Sequence, residues 1–429
     1  MEWMIGLVFC MALLPGIGPN VNVIFFYLSP LRVGILCMLS VYALLYIRRK
    51  NNRILALPRE NKYSVLFMVL WFLYSLLSIL WVKDLAAWIH VEYFLGLAAL
   101  CTVIFSLSNI SLHGFYRIFH MVSVVVFVQN IIGWFEVITK RYYFAPIERI
   151  ERMRAYRTYY PISTFVNQND YALFLLFGVC VSGMLIYMCR QKLLKLMNLL
   201  LCISCITLIL RTGSRGALLG LLFGIFVTWL VCFSGKLKAI TASLAILGVA
   251  MLCIIFPQRI IDLIGSFQPM PELNLHYAHL SSDAVRYNLL RNGLEFLQQT
   301  WGRGVGSGNV EFWMQHYAVH NTRGFLNMHH WWMENLTNFG VFFFVSYIAF
   351  YCHIFYSLYK TIKKNFNRYY KGIASIFLIF HSVYAVASIS SSSNFSTEWL
   401  WIFWALMIAF QGIGHAQIEA EDSEVKHEC

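Results

Sequence analysis

The chain has 429 residues, of which 59% are hydrophobic and only 12% charged, with a mean hydropathy of +0.63 and a formal net charge of +13. A soluble chain of this length carries roughly a quarter charged residues, so this composition excludes a water-soluble globular protein. Apolar runs of about 18–25 residues are continuous rather than alternating, which excludes a β-barrel and predicts an all-α polytopic membrane protein.

In chain order, spans are predicted near 3–21, 30–47, 63–82, 86–106, 116–138, 171–189, 196–211, 216–233, 237–256, 331–357, 372–390 and 397–414, about twelve in all. The first is interrupted by Pro15, Gly16, Gly18 and Pro19. It lacks a basic leading segment and a small-residue cleavage site, and reads as a retained helix. Basic clusters follow span two (Arg48, Arg49, Lys50, Arg53, Arg59, Lys62), span six (Arg190, Lys192, Lys195), span eight (Lys236, Lys238) and span ten (Lys360, Lys363, Lys364, Arg368, Lys371). All four fall on one side of a twelve-span chain. That side is expected to be the cytoplasm, with both termini there. The organisation expected is a block of helices over 1–256 with an outer loop at 139–170, an extracytoplasmic loop over 257–330, a second block of helices over 331–414, and an acidic cytoplasmic tail over 415–429.

The positive charge is therefore largely topology signal and calls for no nucleic acid. The opposite side is the anomaly. Its cations are Lys83, Lys140, Arg141, Arg149, Arg152, Arg154, Arg157, Arg211, Arg215, Arg259, Arg286, Arg291, Arg303 and Arg323, nearly all arginine. The guanidinium fork grips phosphate oxygens in two places and stays charged, so this set points to a phosphate-bearing ligand. The alternative assigns these arginines to anionic lipid headgroups or to loop carboxylates such as Glu148 and Glu151.

In the second loop, 281–300 reads as an amphipathic helix with Val285, Leu289, Leu290, Leu294, Phe296 and Leu297 on its apolar stripe. The glycines of 302–309 lack the strand and βαβ context of a dinucleotide fingerprint, and read as a flexible turn whose backbone approaches a ligand. Arg211-Thr212-Gly213-Ser214-Arg215-Gly216 joins spans seven and eight as an arginine-flanked anion nest. Asn167, Gln168, Asn169 and Asp170 lead into span six, with Asp170 a candidate helix cap and the amides candidate partners of sugar hydroxyls. Histidines gather at 276, 279, 316, 320, 329 and 330. His316 and His320 would share a helical face, but no cysteine or carboxylate completes a zinc set, so no metal and no cofactor is expected. A neutral imidazole there suits proton abstraction from a hydroxyl. Trp301, Trp331 and Trp332 suit either the membrane interface or stacking on sugar rings.

Four segments in order, FVNQNDYA at 165–172, RTGSRGALLG at 211–220, AVRYNLLRNGLEFLQQTWGRGVGSGN at 284–309 and HHWWMENLTNFG at 329–340, resemble the O-antigen ligase and polysaccharide polymerase family of bacterial envelopes. The family signature is a histidine, a small polar residue, nine residues, then glycine. His329, His330 and Gly340 match the spacing, although His330 departs from the usual asparagine, serine or glutamine. His320-Asn321 has the commoner dipeptide but no glycine at the matching distance.

The resemblance implies a metal-independent glycosyltransferase on the outer face of the cytoplasmic membrane. Its donor would be an undecaprenyl-diphosphate-linked oligosaccharide and its acceptor a glycan hydroxyl. Membrane lipids and other polysaccharide-assembly proteins would be further partners. Arg215 and Arg286 would bind the diphosphate and His329 would activate the acceptor. Arg211, Arg303, Asn169, His330 and Glu334, from the same segments, join the expected substrate-binding set. A repeat-unit polymerase is expected ahead of a ligase, on a Trp-Trp-x-Glu pattern similar to capsule and teichuronic-type polymerases. The other classes weighed are a flippase for lipid-linked oligosaccharides, which would want charge in mid-span, and a non-catalytic envelope scaffold.

Overall fold

A computed structural model describes residues 1–15, 21–23, 26–48, 57–155, 157–233, 235–236, 238, 240–243, 282–364, 367–389 and 394–413. Most of the expected ninth span, the start of the second loop with Arg259, His276 and His279, residues 390–393 of the serine tract, and the acidic tail lie outside these described residues.

The chain is an all-α membrane protein, because in lipid every backbone polar group must be satisfied within its own segment. Its helices are α1 (Glu2–Ala12), α2 (Pro30–Arg48), α3 (Lys62–Leu77), α4 (Leu85–Leu107), α5 (Leu112–Thr139), α6 (Ile147–Ala155), α7 (Gln168–Met188), α8 (Lys192–Thr212), α9 (Arg215–Cys232), α10 (Ser282–Gln299), α11 (Val310–Tyr317), α12 (Trp331–Lys364), α13 (Arg368–Ala387) and α14 (Glu398–Gln411). A three-residue antiparallel ribbon, Val21–Val23 with Phe26–Leu28, precedes α2.

Among the described residues, eight helices are long and apolar enough to cross a membrane: α3 with its 3-10 extension, α4, α5, α7, α8, α9, α12 and α13. Shorter apolar helices occupy the places expected for spans one, two and twelve.

Helix α13 is the most enclosed of the eight, with 83% of its apolar window buried. Small residues bring α9 against it. A Cβ at Gly220 would lie 3.1 Å from the Ala387 Cβ, and one at Gly224 only 2.7 Å from Val383. In lipid, where burial between helices gains little, such close approach is what drives association. A second centre forms around Trp71 on α3, whose ring meets Trp331, Phe339, Phe343, Tyr347 and Trp401 at centroid distances of 5.3–6.5 Å.

Helix α12 is two helices. Gly340 sits at φ 81°, ψ 174°, outside helical space. Trp331 and Tyr347 would be roughly 24 Å apart along a straight helix, yet their rings are 6.4 Å apart and the Trp331 indole N–H donates to the Tyr347 hydroxyl at 2.8 Å. The half-helix 331–339 therefore turns sharply against 341–364.

Such a break orphans main-chain groups, and the glycine-rich loop supplies their partners. The N–H groups of Val305 and Gly306 donate to the carbonyls of Thr337 and Asn338, both at 2.9 Å, and the Val341 N–H donates to the Gly302 carbonyl at 2.9 Å. This corrects the sequence reading of 302–309. Its backbone approaches the helix break, not a ligand. A Cβ at Gly304 would lie 2.5 Å from the Gly340 nitrogen, and one at Gly340 would lie 2.3 Å from the Arg303 carbonyl oxygen.

Gly340→Ala should destabilise the detergent-solubilised protein by about 1–3 kcal/mol through backbone strain, with the collision adding to it. Gly183→Ala, whose new Cβ meets nothing within 4 Å, should leave the thermal midpoint level or slightly raised. Equal midpoints for the two variants would contradict the assignment of Gly340 to a strained break.

Candidate functional site

The helix ends that carry α10 and α11 define one face of the bundle, here called the loop face. A small separate core of Val285, Leu289, Phe296, Leu297, Val305, Val310, Met314, Met328 and Met333 packs α10 and α11 on the half-helix 331–339. Gly293 allows the approach, since a Cβ there would meet Met328, Met333 and Thr337 at 2.9 Å. Asn292, fully buried, clamps the following turn: its Oδ1 accepts from the Val319 and His320 N–H groups at 3.0 and 2.8 Å, and its Nδ2 donates to the His320 carbonyl at 2.8 Å.

These contacts deliver His329 to a fixed place. Buried Met328 anchors the chain, and His329 follows at φ 50°, an uncommon left-handed conformation for a residue with a side chain. Its N–H donates to Asn327 Oδ1 at 2.9 Å, and Asn327 Nδ2 donates in turn to Glu311 at 2.9 Å. The half-buried ring feels Arg286 from α10 and Glu311 from α11. Burial, reinforced by the Arg286 guanidinium, holds the His329 imidazole below its ordinary value, and the Glu311 carboxylate opposes them. Burial thus favours the neutral imidazole, the form a base needs.

His330 has a different task. Its Nδ1 accepts from the Met333 N–H at 3.2 Å, and its carbonyl accepts from the Glu334 N–H at 2.9 Å, so it caps the half-helix. Asparagine and serine are the usual residues at such a cap, and an unprotonated imidazole nitrogen serves in their place. Burial lowers the His330 pKa and favours that form. Glu334 stands one turn further on, within charge reach of Glu311. His320 is not part of this group. Helix α11 ends at Tyr317, so His316 and His320 do not share a helical face, and His320 lies by Arg291 and Glu295.

A second cluster forms where the 139–170 loop meets the α8–α9 turn. The Glu136 carboxylate accepts the Ile162 and Ser163 N–H groups at 2.7 Å each, and Gln129 Nε2 donates to Thr164 at 2.7 Å, fixing the loop. Asn167, not Asp170, caps α7: its Oδ1 accepts from the Asn169 and Asp170 N–H groups at 2.9 and 3.0 Å. Arg149 of α6 donates to Gln168 Oε1 and lies within charge reach of Asp170 and Tyr160. Its Nε is buried and meets no acceptor among the described residues. Tyr160 in turn rests near Gly213, 3.6 Å from where a Cβ would stand. The turn has Gly213 at φ 67° and Ser214 capping α9, with Arg211 and Arg215 exposed on either side. Tyr160 thus links Arg149 to the turn that carries Arg211 and Arg215, and Asn169 lies next to Gln168 and Asp170 at the start of α7.

Sequence reading had counted Arg149 only among the basic residues of that side. Its partner in the FVNQNDYA segment is what singles it out.

Tyr384, at the loop-face end of α13, joins the two clusters, because both Asp170 and Glu334 lie within charge reach of it. Arg303 is placed apart. It lies over the Trp81 ring at 4.9 Å, beyond the Gly340 break, roughly 15 Å of helix from His330.

Replacing Arg286 with Gln removes a charge that lowers the His329 pKa, so that pKa should rise. The acid limb of a pH–rate profile should move to higher pH, and Glu311→Gln should move it to lower pH. Shifts in the same direction for both variants would refute this electrostatic arrangement.

Residues 197–348 match a family model described as O-Antigen ligase. That stretch takes in Arg211, Arg215, Arg286, Arg303, His329, His330 and Glu334, and leaves out Asn169 and Arg149. The chain is also 29% identical over 352 residues to the teichuronic acid biosynthesis protein TuaE of Bacillus subtilis (strain 168), a match covering 82% of this chain and 72% of that one.

Proposed function

We propose that this chain, which is similar to the O-antigen ligase and polysaccharide polymerase family over residues 197–348 and to a teichuronic acid biosynthesis protein over most of its length, transfers a glycan from undecaprenyl diphosphate to an acceptor hydroxyl, polymerising surface polysaccharide repeat units at the extracytoplasmic face of the cytoplasmic membrane. The observation that carries this reading is a half-buried histidine on a turn fixed by Asn327 and by the α10–α11 core, within charge reach of the Arg286 guanidinium.

In the proposed reaction the acceptor oxygen bonds to the anomeric carbon as the bond from that carbon to the diphosphate oxygen breaks. The acceptor proton passes to His329. The diphosphate leaves carrying the electron pair, and negative charge builds on it. Fixed guanidinium groups at a poorly hydrated boundary stabilise that charge. Arg215 and Arg211 on the α8–α9 turn and Arg286 beside the histidine supply them, with Arg149 as an addition from the first loop. Asn169 and Glu334 offer hydrogen bonds to sugar hydroxyls.

The lipid tail has a place as well. An apolar cleft of about 750 Å³ lies along α9, lined by Leu221, Leu222, Ile225, Phe226, Trp229 and Val383. It begins within two turns of Arg215, so a polyprenyl chain in the cleft would bring its diphosphate to the arginine turn.

The B. subtilis relative is named for teichuronic acid biosynthesis, and the matching family model is described as O-Antigen ligase. Polymerisation and ligation differ in acceptor. His329→Ala and Arg215→Ala in the host strain, with membrane levels matched by blot, should each cut polymer formation by about 10²-fold or more. Surface glycan collapsing to single repeat units on a gel supports the polymerase. Full-length glycan left on its lipid carrier supports the ligase. An unchanged ladder in both variants would sink the transferase reading.

A further inference from the structure

Beyond the Gly340 break lies a hollow of about 600 Å³ that the reaction outlined above does not use. Its walls include Trp81, Lys83, Gln299, Trp301, Arg303 and Trp313. Trp301 is 96% exposed and sits at φ 54°. It occupies the left-handed turn that ends α10, where glycine is usual. A bulky side chain in that conformation is strained. Packing inside the protein does not offset this, because almost none of the ring is covered.

Arg303 lies over the Trp81 ring, 4.9 Å from its centroid, and Lys83, also exposed, lines the same hollow. The hollow thus combines indole faces with two cations. Indole faces stack on the C–H faces of pyranose rings, and a guanidinium fork matches a carboxylate in two places.

The location links the hollow to the reactive histidine. Helix α11 forms a shared wall. Glu311 bears on His329, while Trp313, two residues later and so on the opposite side of the helix, lines the hollow. The half-helix of α12 spans the gap, with His330 at one end and the Gly340 break beside Arg303 at the other.

We propose that this hollow is a subsite for an acidic glycan, holding uronate-bearing sugars of a chain whose reacting end lies at His329. Lys83 and Arg303 pair with the carboxylates, and Trp301 stacks on a ring. The inference rests on the transferase reading for its purpose, but its test is a binding measurement that needs no turnover.

The purified full-length protein in detergent is titrated with a short oligogalacturonate and with a malto-oligosaccharide of equal length, followed by calorimetry at low and high salt. The acidic oligomer should bind about tenfold or more tighter, and should lose that advantage at high salt. Arg303→Gln and Lys83→Gln should each remove most of the preference. Trp301→Ala should weaken both oligomers roughly 2- to 10-fold.

Equal binding of the two oligomers, or a preference that survives both charge removals, overturns the subsite. Displacement of the acidic oligomer by phosphatidylglycerol micelles, with the same dependence on Arg303 and Lys83, assigns the hollow to lipid headgroups and also overturns it. If binding fails while His329→Ala still abolishes polymer, the subsite falls and the transferase stands. If binding holds while His329→Ala changes no polymer, the reverse is true.

Discussion

The break of α12 at Gly340 opens a helix ladder next to the apolar core, where unpaired carbonyls and N–H groups carry a cost of roughly 1–3 kcal/mol each. The loop 302–306 meets that demand with three main-chain hydrogen bonds. Both strands of the contact are glycine at the point of closest approach, since a Cβ on Gly304 or Gly340 would sit within 2.6 Å of the opposing backbone. Nearly everything on the loop face depends on this contact. It sets the direction of the half-helix 331–339, which sets where His329 and His330 stand. It also docks the end of α10 against α12, which brings Arg286 beside the histidine.

The same loop is held from its other side. Asn309 Oδ1 accepts from the Lys83 and Asp84 N–H groups at 2.8 and 2.7 Å, and the Ser307 N–H donates to Ser78 Oγ at 3.1 Å. The loop therefore ties the α3–α4 turn to the α12 break, and leaves Arg303 and Trp301 facing outward between them. A glycine run that resembles a ligand-binding loop is here a main-chain joint. Its side chains, and not its backbone, are what remain available to a ligand.

The spacing from His329 to Gly340 acquires a physical meaning from this geometry. It is one residue held in a left-handed turn, one capping residue, and two and a half turns of helix ending at a glycine with positive φ. The cap explains why a small polar residue is usual after the histidine and why His330 can replace it, since only an acceptor for the Met333 N–H is needed. Asp170 misled for a related reason. Asn167 and Asp170 are both good capping residues, and only the backbone at Asn167, extended at φ −148°, ψ 165°, shows which of them starts α7.

Hydropathy alone determined that the chain is a helical membrane protein, because a lipid-crossing segment needs a continuous apolar run and an internally satisfied backbone, and both are local properties. The short turn at 211–216 and the amphipathic helix near 282–299 were legible for the same local reasons. What the sequence left undecided depends on contacts between distant segments. Arg149 gained its place from Gln168 and from Tyr160 beside Gly213, and Arg303 came to lie over Trp81, across more than two hundred residues. The lowered pKa of His329 likewise came from burial and from a guanidinium forty-three residues upstream. Burial and charge act through space, and only the packed helices set those distances.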